Sequence, residues 1–241
     1  MRKNVFLKVT AIFLAILLLA STPLAAVKVA VITPHPDDET IGLGGWMQWL
    51  KANGDYVHCT LMTDGSATKS QLVDYYGVAK NLKPGTLEWK KAIREDSFKR
   101  VMNIYGLPYW TMGIRDAQLT STQVYNRLKS LYVNYGFTHF YVVCKDGNSP
   151  HRDHVACQEG LRLFLKAYPK AKGREFCVHY YKNPRQPLYP LPYISKKDQD
   201  ISKYKAKKTQ AFQVYWNIKE ISKGLFPYSE QGTTERIYYI N

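Results

Sequence analysis

The chain is short of cysteine, with four in 241 residues. That is too few for a disulfide scaffold, and no C-x-x-C occurs, so a Cys-rich zinc ribbon is excluded. Long apolar runs are equally scarce. Only one stretch, near the start, is apolar enough to enter a bilayer, which rules out a polytopic membrane protein. No Walker pattern occurs, and no G-x-G-x-x-G follows the first strand-like segment. There is no internal repeat and no low-complexity tract. Acids are the minority charge, 19 against 34 Lys and Arg, for a net charge of +15. What remains is a globular composition, 45% apolar and 22% charged, with 15 Gly and 12 Pro.

Residues 1–26 (MRKNVFLKVTAIFLAILLLASTPLAA) have a basic start, an apolar run over Ala11–Ala20, then small residues and Pro23. This is the three-part layout of a secretory leader. Val5, Phe6 and Leu7 lengthen the apolar part beyond Lys8, and Leu24 and Pro23 spoil the −3 position of a cleavage site, so a signal peptide and an uncleaved membrane anchor both fit. The reading predicts export: a secreted, periplasmic or outward-facing anchored protein. Removing Arg2, Lys3 and Lys8 with the leader leaves +12 on residues 27–241, a length suited to a single domain. Cys59, Cys144, Cys157 and Cys177 sit in apolar or strand-like surroundings and each reads as a free, buried thiol. Export permits pairing among them.

Val27–Thr33 is β-branched and almost uniformly apolar, as a central parallel strand is. Ile41–Lys51 has helical spacing, with Ile41, Trp46, Trp49 and Leu50 for a buried face and Asn53-Gly54 as its stop. Tyr56–Met62 is a second strand, followed by a long connection over residues 66–85 that reads as a site-covering loop. Leu87–Tyr105 is an amphipathic helix closed by Gly106, Tyr109–Met112 a short strand, and Thr122–Tyr135 a helix ending at Gly136. Phe137–Cys144 is a strand, about His154–Tyr168 a helix, and Glu175–Tyr181 a strand. Pro184–Pro192 is rich in Pro and Tyr; a Lys-laden helix over about Ile201–Ile221 and a final strand over Glu235–Ile240 follow. Alternating strands and helices predict an α/β fold: three layers, Rossmann-like, with a mostly parallel sheet.

In such a sheet, ligands bind where strands deliver their C-terminal ends. The first strand here ends in Pro34-His35-Pro36-Asp37-Asp38-Glu39. Three acids would repel a pyrophosphate, and Gly42-Leu43-Gly44-Gly45 falls within the helix pattern, so nicotinamide and P-loop readings fail. His35 and Asp38, three apart at a strand-to-helix turn, can converge on a cation, which leaves Asp37 free to face a water. Helix capping competes for Asp37 or Asp38 and for Glu39, but explains neither His35 nor the doubled acid. A second cluster, Asp146 to His154, follows the strand Phe137–Cys144 at the same sheet edge and opens the next helix with His151, Asp153 and His154. His35, Asp38 and His154 thus make a two-His-one-carboxylate set. That set suits catalytic zinc, and iron(II) accepts it as well. His58, His139 and His179 lie inside strand patterns and read as core or surface residues.

PHPDDE (Pro34–Glu39) and HRDH (His151–His154), supported by Thr63-Asp64-Gly65 and Ile93-Arg94-Glu95-Asp96, resemble the PIG-L/LmbE-like zinc N-deacetylases. The resemblance runs from residue 27 to about 165 and departs at Pro34 and Arg152, neither of which supplies a ligand. It implies a Rossmann-like fold and Zn2+ held by His35, Asp38 and His154. It also implies Asp37 as general base, His151 polarising the amide carbonyl, and Asp153 orienting His151. The implied substrate is an N-acetylglucosamine-type sugar or glycoconjugate, which export would place outside the cytoplasm. Arg94 resembles the family's substrate-contacting arginine; a solvated helix residue paired with an acid is the alternative. Asp64 either bounds the pocket or terminates its strand with Gly65. Competing classes are another metal-dependent amidase of the same fold, a silent sugar-binding domain, and a basic binder of nucleic acid or another polyanion. For the last, Lys196, Lys197, Lys203, Lys205, Lys207 and Lys208 are the densest cluster, but Asp198 and Asp200 interrupt it and no nucleic-acid motif accompanies it. No nucleic acid is expected, and the cluster reads as a solvated helix face or as an attraction to anionic envelope polymer or lipid.

Overall fold

The computed structural model describes residues 26–144, 151–178, 195–221 and 234–240. All of the leader but Ala26, residues 145–150 with Asp146, the Pro/Tyr-rich segment and His179 lie outside them. Seven strands form one sheet: β1 (Lys28–Thr33), β2 (Tyr56–Thr63), β3 (Tyr109–Ile114), β4 (His139–Val143), β5 (Lys172–Phe176), β6 (Ser195–Asp200) and β7 (Thr234–Tyr239). Their order is β3-β2-β1-β4-β5-β7-β6. The first five run parallel, β7 is antiparallel to β5, and β6 is antiparallel to β7. The helices are α1 (Asp38–Ala52), α2 (Leu87–Tyr105), α3 (Ser121–Tyr135), α4 (Arg152–Ala167) and α5 (Lys205–Asn217), the last preceded by a short 3-10 turn. Helices α3 and α4 pack on one another, while α5 packs on α1 and α2. Two helical layers enclose the sheet, and the core lies at its centre, where Val29, Val31, Ile32, Leu61, Phe140 and Val142 are buried.

Expectation and structure agree where hydrophobic period and capping agree. Gly106 and Gly136 end α2 and α3 in the left-handed conformation. Thr120 and Gln123 close a capping box at the start of α3. They part at α1, where no single face is buried. Gly42 stands where a Cβ would strike Phe176 of β5, Gly44 where it would strike Tyr105 of α2 and crowd Lys208, and Gly45 where it would strike Ile201, so Gly44 and Gly45 let the C-terminal region close over the helix. The same closure removes Lys208 from the expected solvated face. Its ammonium is buried, 2.6 Å from Glu235 and 3.1 Å from the Ile41 carbonyl. Strand β6 (SKKDQD) carries no hydrophobic alternation and was not expected; it survives as a charged edge strand, Asp198 paired with Arg236 of β7. The Lys-laden helix is shorter than its pattern, and β5 starts and ends earlier than its pattern predicts. Cys144 and Cys177 correct the free-thiol reading: they form a disulfide with Cα atoms 5.4 Å apart, tying the ends of β4 and β5. Cys59 and Cys157 are free and buried. Among the described residues, no helix is long and apolar enough to cross a membrane.

Candidate metal and active site

The sheet order reverses between β1 and β4, which opens a crevice at their C-terminal ends. The turn Pro34–Asp37 leaves β1 there, and α4 begins there after β4. The end of β2 fixes the turn: the amide and hydroxyl of Thr63 both donate to the Pro34 carbonyl, at 3.0 and 2.7 Å. Asp38 Oδ2 accepts from the His35 amide and lies 3.1 Å from His35 Nδ1. His154, from the first turn of α4, brings Nε2 to 3.4 Å from the same oxygen. All three residues are buried, and their donor atoms lie within 4.8 Å of one another.

This set fits a divalent ion. Four-coordinate zinc with bonds of about 2.0–2.1 Å places its ligand atoms about 3.3 Å apart, and Asp38 Oδ2 stands 3.1 and 3.4 Å from the two imidazole nitrogens. Capping does not account for the acids. The Asp37 side chain makes no cap hydrogen bond, Asp38 turns back to His35, and Glu39 is buried, accepting from the Asp37 amide and the hydroxyls of Thr40 and Tyr215. Burial drives the Glu39 carboxyl up to about 7. Burial also disfavours charge on both Asp38 and His35. The two imidazoles nevertheless hold Asp38 well below the carboxylate range, and Asp116, Asp153 and Asp38 hold His35 well above its ordinary value. A carboxylate field that draws a proton onto a buried ring would hold a cation equally well.

His35 uses its second nitrogen as well. Nε2 lies 3.2 Å from Asp153 Oδ2 and 3.3 Å from Asp116 Oδ1. A metal-binding imidazole donates its other N–H to a carboxylate in this way. Asp153 is itself anchored, accepting from the amides of Ala117 (2.8 Å) and Leu119 (3.2 Å). The carboxylate expected behind His151 therefore stands behind His35, since its Oδ2 is 3.9 Å from His151 Nδ1, beyond a hydrogen bond. His151 Nδ1 accepts instead from the Asp153 amide at 3.3 Å. That contact assigns the proton of a neutral His151 to Nε2, which lies 3.9 Å from Asp116 Oδ1. Burial first, and the nearby His35 charge second, lower the His151 pKa and favour the neutral ring.

A cavity of about 460 Å³ opens over these groups, lined by His35, Asp37, Asp38, His151 and His154 together with Thr68, Lys69, Arg94, Asp116 and Glu220. The 66–85 connection thus contributes a wall, and Ser70 and Val73 tie it to the C-terminal region. Asp37 has its carboxyl raised well above the usual range by burial and by Asp38, with Arg94 opposing. Arg94 is acid-paired but not solvated. Its Nε pairs with Glu220 at 2.9 Å, and its Nη1 and Nη2 donate to the carbonyls of Gly65 (2.7 Å) and Pro36 (2.8 Å). Asp64 does not line the cavity; it closes the turn to Ser66 and accepts from the Asp116 amide at 3.0 Å.

Asp116 and Glu220 escaped the sequence reading. Asp116 follows β3 at the same sheet edge as the other acids, and the rule that led to His35 could have found it. Glu220 follows α5, far from any motif, and carried no signal. Among the described residues, three non-glycine residues have positive φ: Asp37 (108°), Ala117 (65°) and Lys219 (60°). Asp37 lines the cavity, and the other two adjoin Asp116 and Glu220, so the backbone strain collects around this site.

The model of one family, PIG-L (GlcNAc-PI de-N-acetylase), matches residues 30–165, more than half of the chain. The chain belongs to the PIG-L family. It is a metal-dependent amide hydrolase of the deacetylase type. Solved structures share the fold at low identity. A deacetylase of teicoplanin biosynthesis is 14% identical, with a TM-score of 0.69 over 88% of this chain and 97% of that one. N,N'-diacetylchitobiose deacetylase from Pyrococcus horikoshii is 20% identical, with a TM-score of 0.55 over 86% and 75%. GalB, a 4-carboxy-2-hydroxymuconate hydratase from Pseudomonas putida KT2440, is 13% identical, with a TM-score of 0.65 over 89% and 95%. No curated protein sequence matches significantly.

Proposed function

We propose that this PIG-L family protein is a zinc N-deacetylase that removes acetate from an N-acetylglucosamine-type sugar or glycoconjugate outside the cytoplasm. The observation that carries the reading is the buried His35–Asp38–His154 set with Asp37 beside it at the cavity floor. A hydratase shares the fold, so the fold alone does not choose the reaction. The family description and the chitobiose deacetylase support an N-acetylated amino sugar. The make-up of residues 1–26 supports export, with that leader joined to a single catalytic domain.

His35, Asp38 and His154 would hold the ion. Bound there, zinc supplies Lewis acidity towards the amide carbonyl and acidifies water. Asp153 fixes the His35 ring, and with it the direction of the ligating nitrogen. Asp37 takes the proton of the attacking water and hands it to the departing nitrogen as the C–N bond breaks, giving acetate and the free amine. His151 donates through Nε2 to the carbonyl oxygen as it gains charge, an interaction worth roughly 3–4 kcal/mol for a single donor. Asp116, buried with Oδ1 towards His35 and His151 and Oδ2 accepting from the Ala67 amide, holds a carboxylate beside both rings.

The test is acetate release from a panel of N-acetylated monosaccharides and oligosaccharides, before and after chelation and after zinc is restored. Chelator-sensitive release restored by zinc is expected. A freshly purified, active enzyme containing no transition metal would overturn the reading.

A further inference from the structure

The edge of the sheet opposite the cavity carries its own pattern. Hydrogen bonds from Tyr56 to Val27, Thr138 to Lys28 and Lys172 to Thr138 set the starts of β2, β1, β4 and β5 in one row. Lys28, Tyr56 and Lys172 are exposed along it, and Lys170 stands in the turn just before β5. Tyr135, 47% exposed, ends α3 beside them: its carbonyl accepts from the Lys28 ammonium, and its ring lies 5.1 Å from Trp110. Trp49 sits on the same side near the end of α1, with the Lys197 ammonium 4.7 Å from its ring centre. Asp55 is an acid of this row, and it is occupied by the Val27 amide at 3.2 Å. The acids Asp37, Asp38, Asp116, Asp153 and Glu220 all gather at the other edge.

Residues 1–25 enter the described fold through Ala26, immediately before β1 on this same lysine- and aromatic-bearing edge. Lysine attracted to anionic headgroups, with Tyr and Trp at the depth of the interface, is how a protein surface rests on a bilayer. We propose that this edge docks on an anionic lipid bilayer, the one its leader engages, and holds the catalytic mouth facing away. Six-residue strands rising about 3.3 Å per residue place the cavity on the order of 20 Å above the headgroups. A sugar attached directly to a lipid of that membrane does not reach it. The substrate is therefore a glycan that extends from the surface or diffuses free, and this last step rests on the deacetylase reading above.

The test uses the chain as recovered from an exporting host, mixed with vesicles of phosphatidylcholine alone or with added phosphatidylglycerol. An environment-sensitive fluorophore is attached through Tyr56→Cys, Tyr135→Cys or, in the 66–85 connection that walls the cavity, the exposed Val78→Cys; Tyr135 guards against misfolding of the Tyr56 variant. On anionic vesicles the two basal probes should blue-shift and be quenched by brominated lipid, and the Val78 probe should not. Lys28→Gln/Lys170→Gln/Lys172→Gln should raise the lipid concentration needed for the shift on the order of 100-fold. The matched change Lys69→Gln/Lys80→Gln/Lys83→Gln should move it only a few-fold. Equal loss in the two triple variants, quenching of the Val78 probe, or no response to phosphatidylglycerol would overturn the docking. Substrate reach is read separately. An N-acetylated oligosaccharide in solution should be deacetylated by the docked enzyme, while N-acetylglucosaminyl-phosphatidylinositol in the same vesicles should not. Turnover of the lipid-held sugar overturns the orientation, whereas failure on both substrates beside intact probe shifts counts against the deacetylase reading alone.

Discussion

Arg94→Lys separates two roles that the guanidinium could have at this site, touching substrate or holding the turn that carries Asp37. The guanidinium donates to the Pro36 and Gly65 carbonyls while pairing with Glu220. Lysine keeps the charge opposite Glu220 but loses the planar fork, so it cannot clamp both carbonyls. What the clamp resists is the Asp37 backbone at φ 108°, a non-glycine residue in a region that costs roughly 1–3 kcal/mol. Once released, the turn relaxes and the competent arrangement becomes a minor population. A middle value of about 2 kcal/mol corresponds to a loss of about 30-fold, so kcat should fall between roughly 10- and 100-fold. KM should change by less than about threefold, because none of the lost bonds reaches substrate. Bound zinc, measured by elemental analysis, should stay at wild-type level because His35, Asp38 and His154 are untouched. Steady-state kinetics on the best N-acetylated substrate decide the matter. A raised KM with unchanged kcat would refute the clamp and return Arg94 to substrate binding.

Asp37→Asn should abolish acetate release while leaving metal content intact; retained turnover would remove Asp37 from the mechanism. Glu175 is fully buried with Gln158 as its partner, and burial raises its carboxyl to about 7 from the ordinary 4.5. Its unfolded form therefore ionises first. Stability is complete below pH 4.5 and is lost as pH rises towards 7, by about 3 kcal/mol. Glu175→Gln should reduce that slope, leaving the share of Glu39, in urea unfolding at a series of pH values, and an unchanged slope would show Glu175 to be ionised in the fold. Lys208→Met strands Glu235 among buried groups and should cost about 3–5 kcal/mol by denaturant unfolding; a loss under 1 kcal/mol would mean Glu235 finds water. Reducing the Cys144–Cys177 bond, which spans 33 residues of sequence, should lower stability by about 3–4 kcal/mol, read by the same denaturant assay.

The local sequence determined much of the fold, and it did so wherever short-range physics suffices. The β-branched run of β1 can only be a buried strand, and Leu87–Tyr105 carries its own period and its own stop at Gly106. The acids and imidazoles that end β1 and open α4 announced themselves because a parallel sheet delivers its strand ends to one edge, and His35, Asp38 and His154 meet there. Tertiary structure decided what depended on distant partners. Asp153 was legible as a site residue, but its service to His35 rather than His151 is a matter of two ring nitrogens, one 3.2 Å and the other 3.9 Å from the same oxygen. Lys208 looks like any surface lysine until Glu235, contributed by the last strand, makes its burial affordable. Cys144 and Cys177 pair because β4 and β5 lie side by side, which no spacing along the chain reveals. Glu220 reaches the cavity only because α5, which it follows, returns to cover the first two helices. A local pattern records what a residue prefers, and only the folded chain records which charge stands opposite.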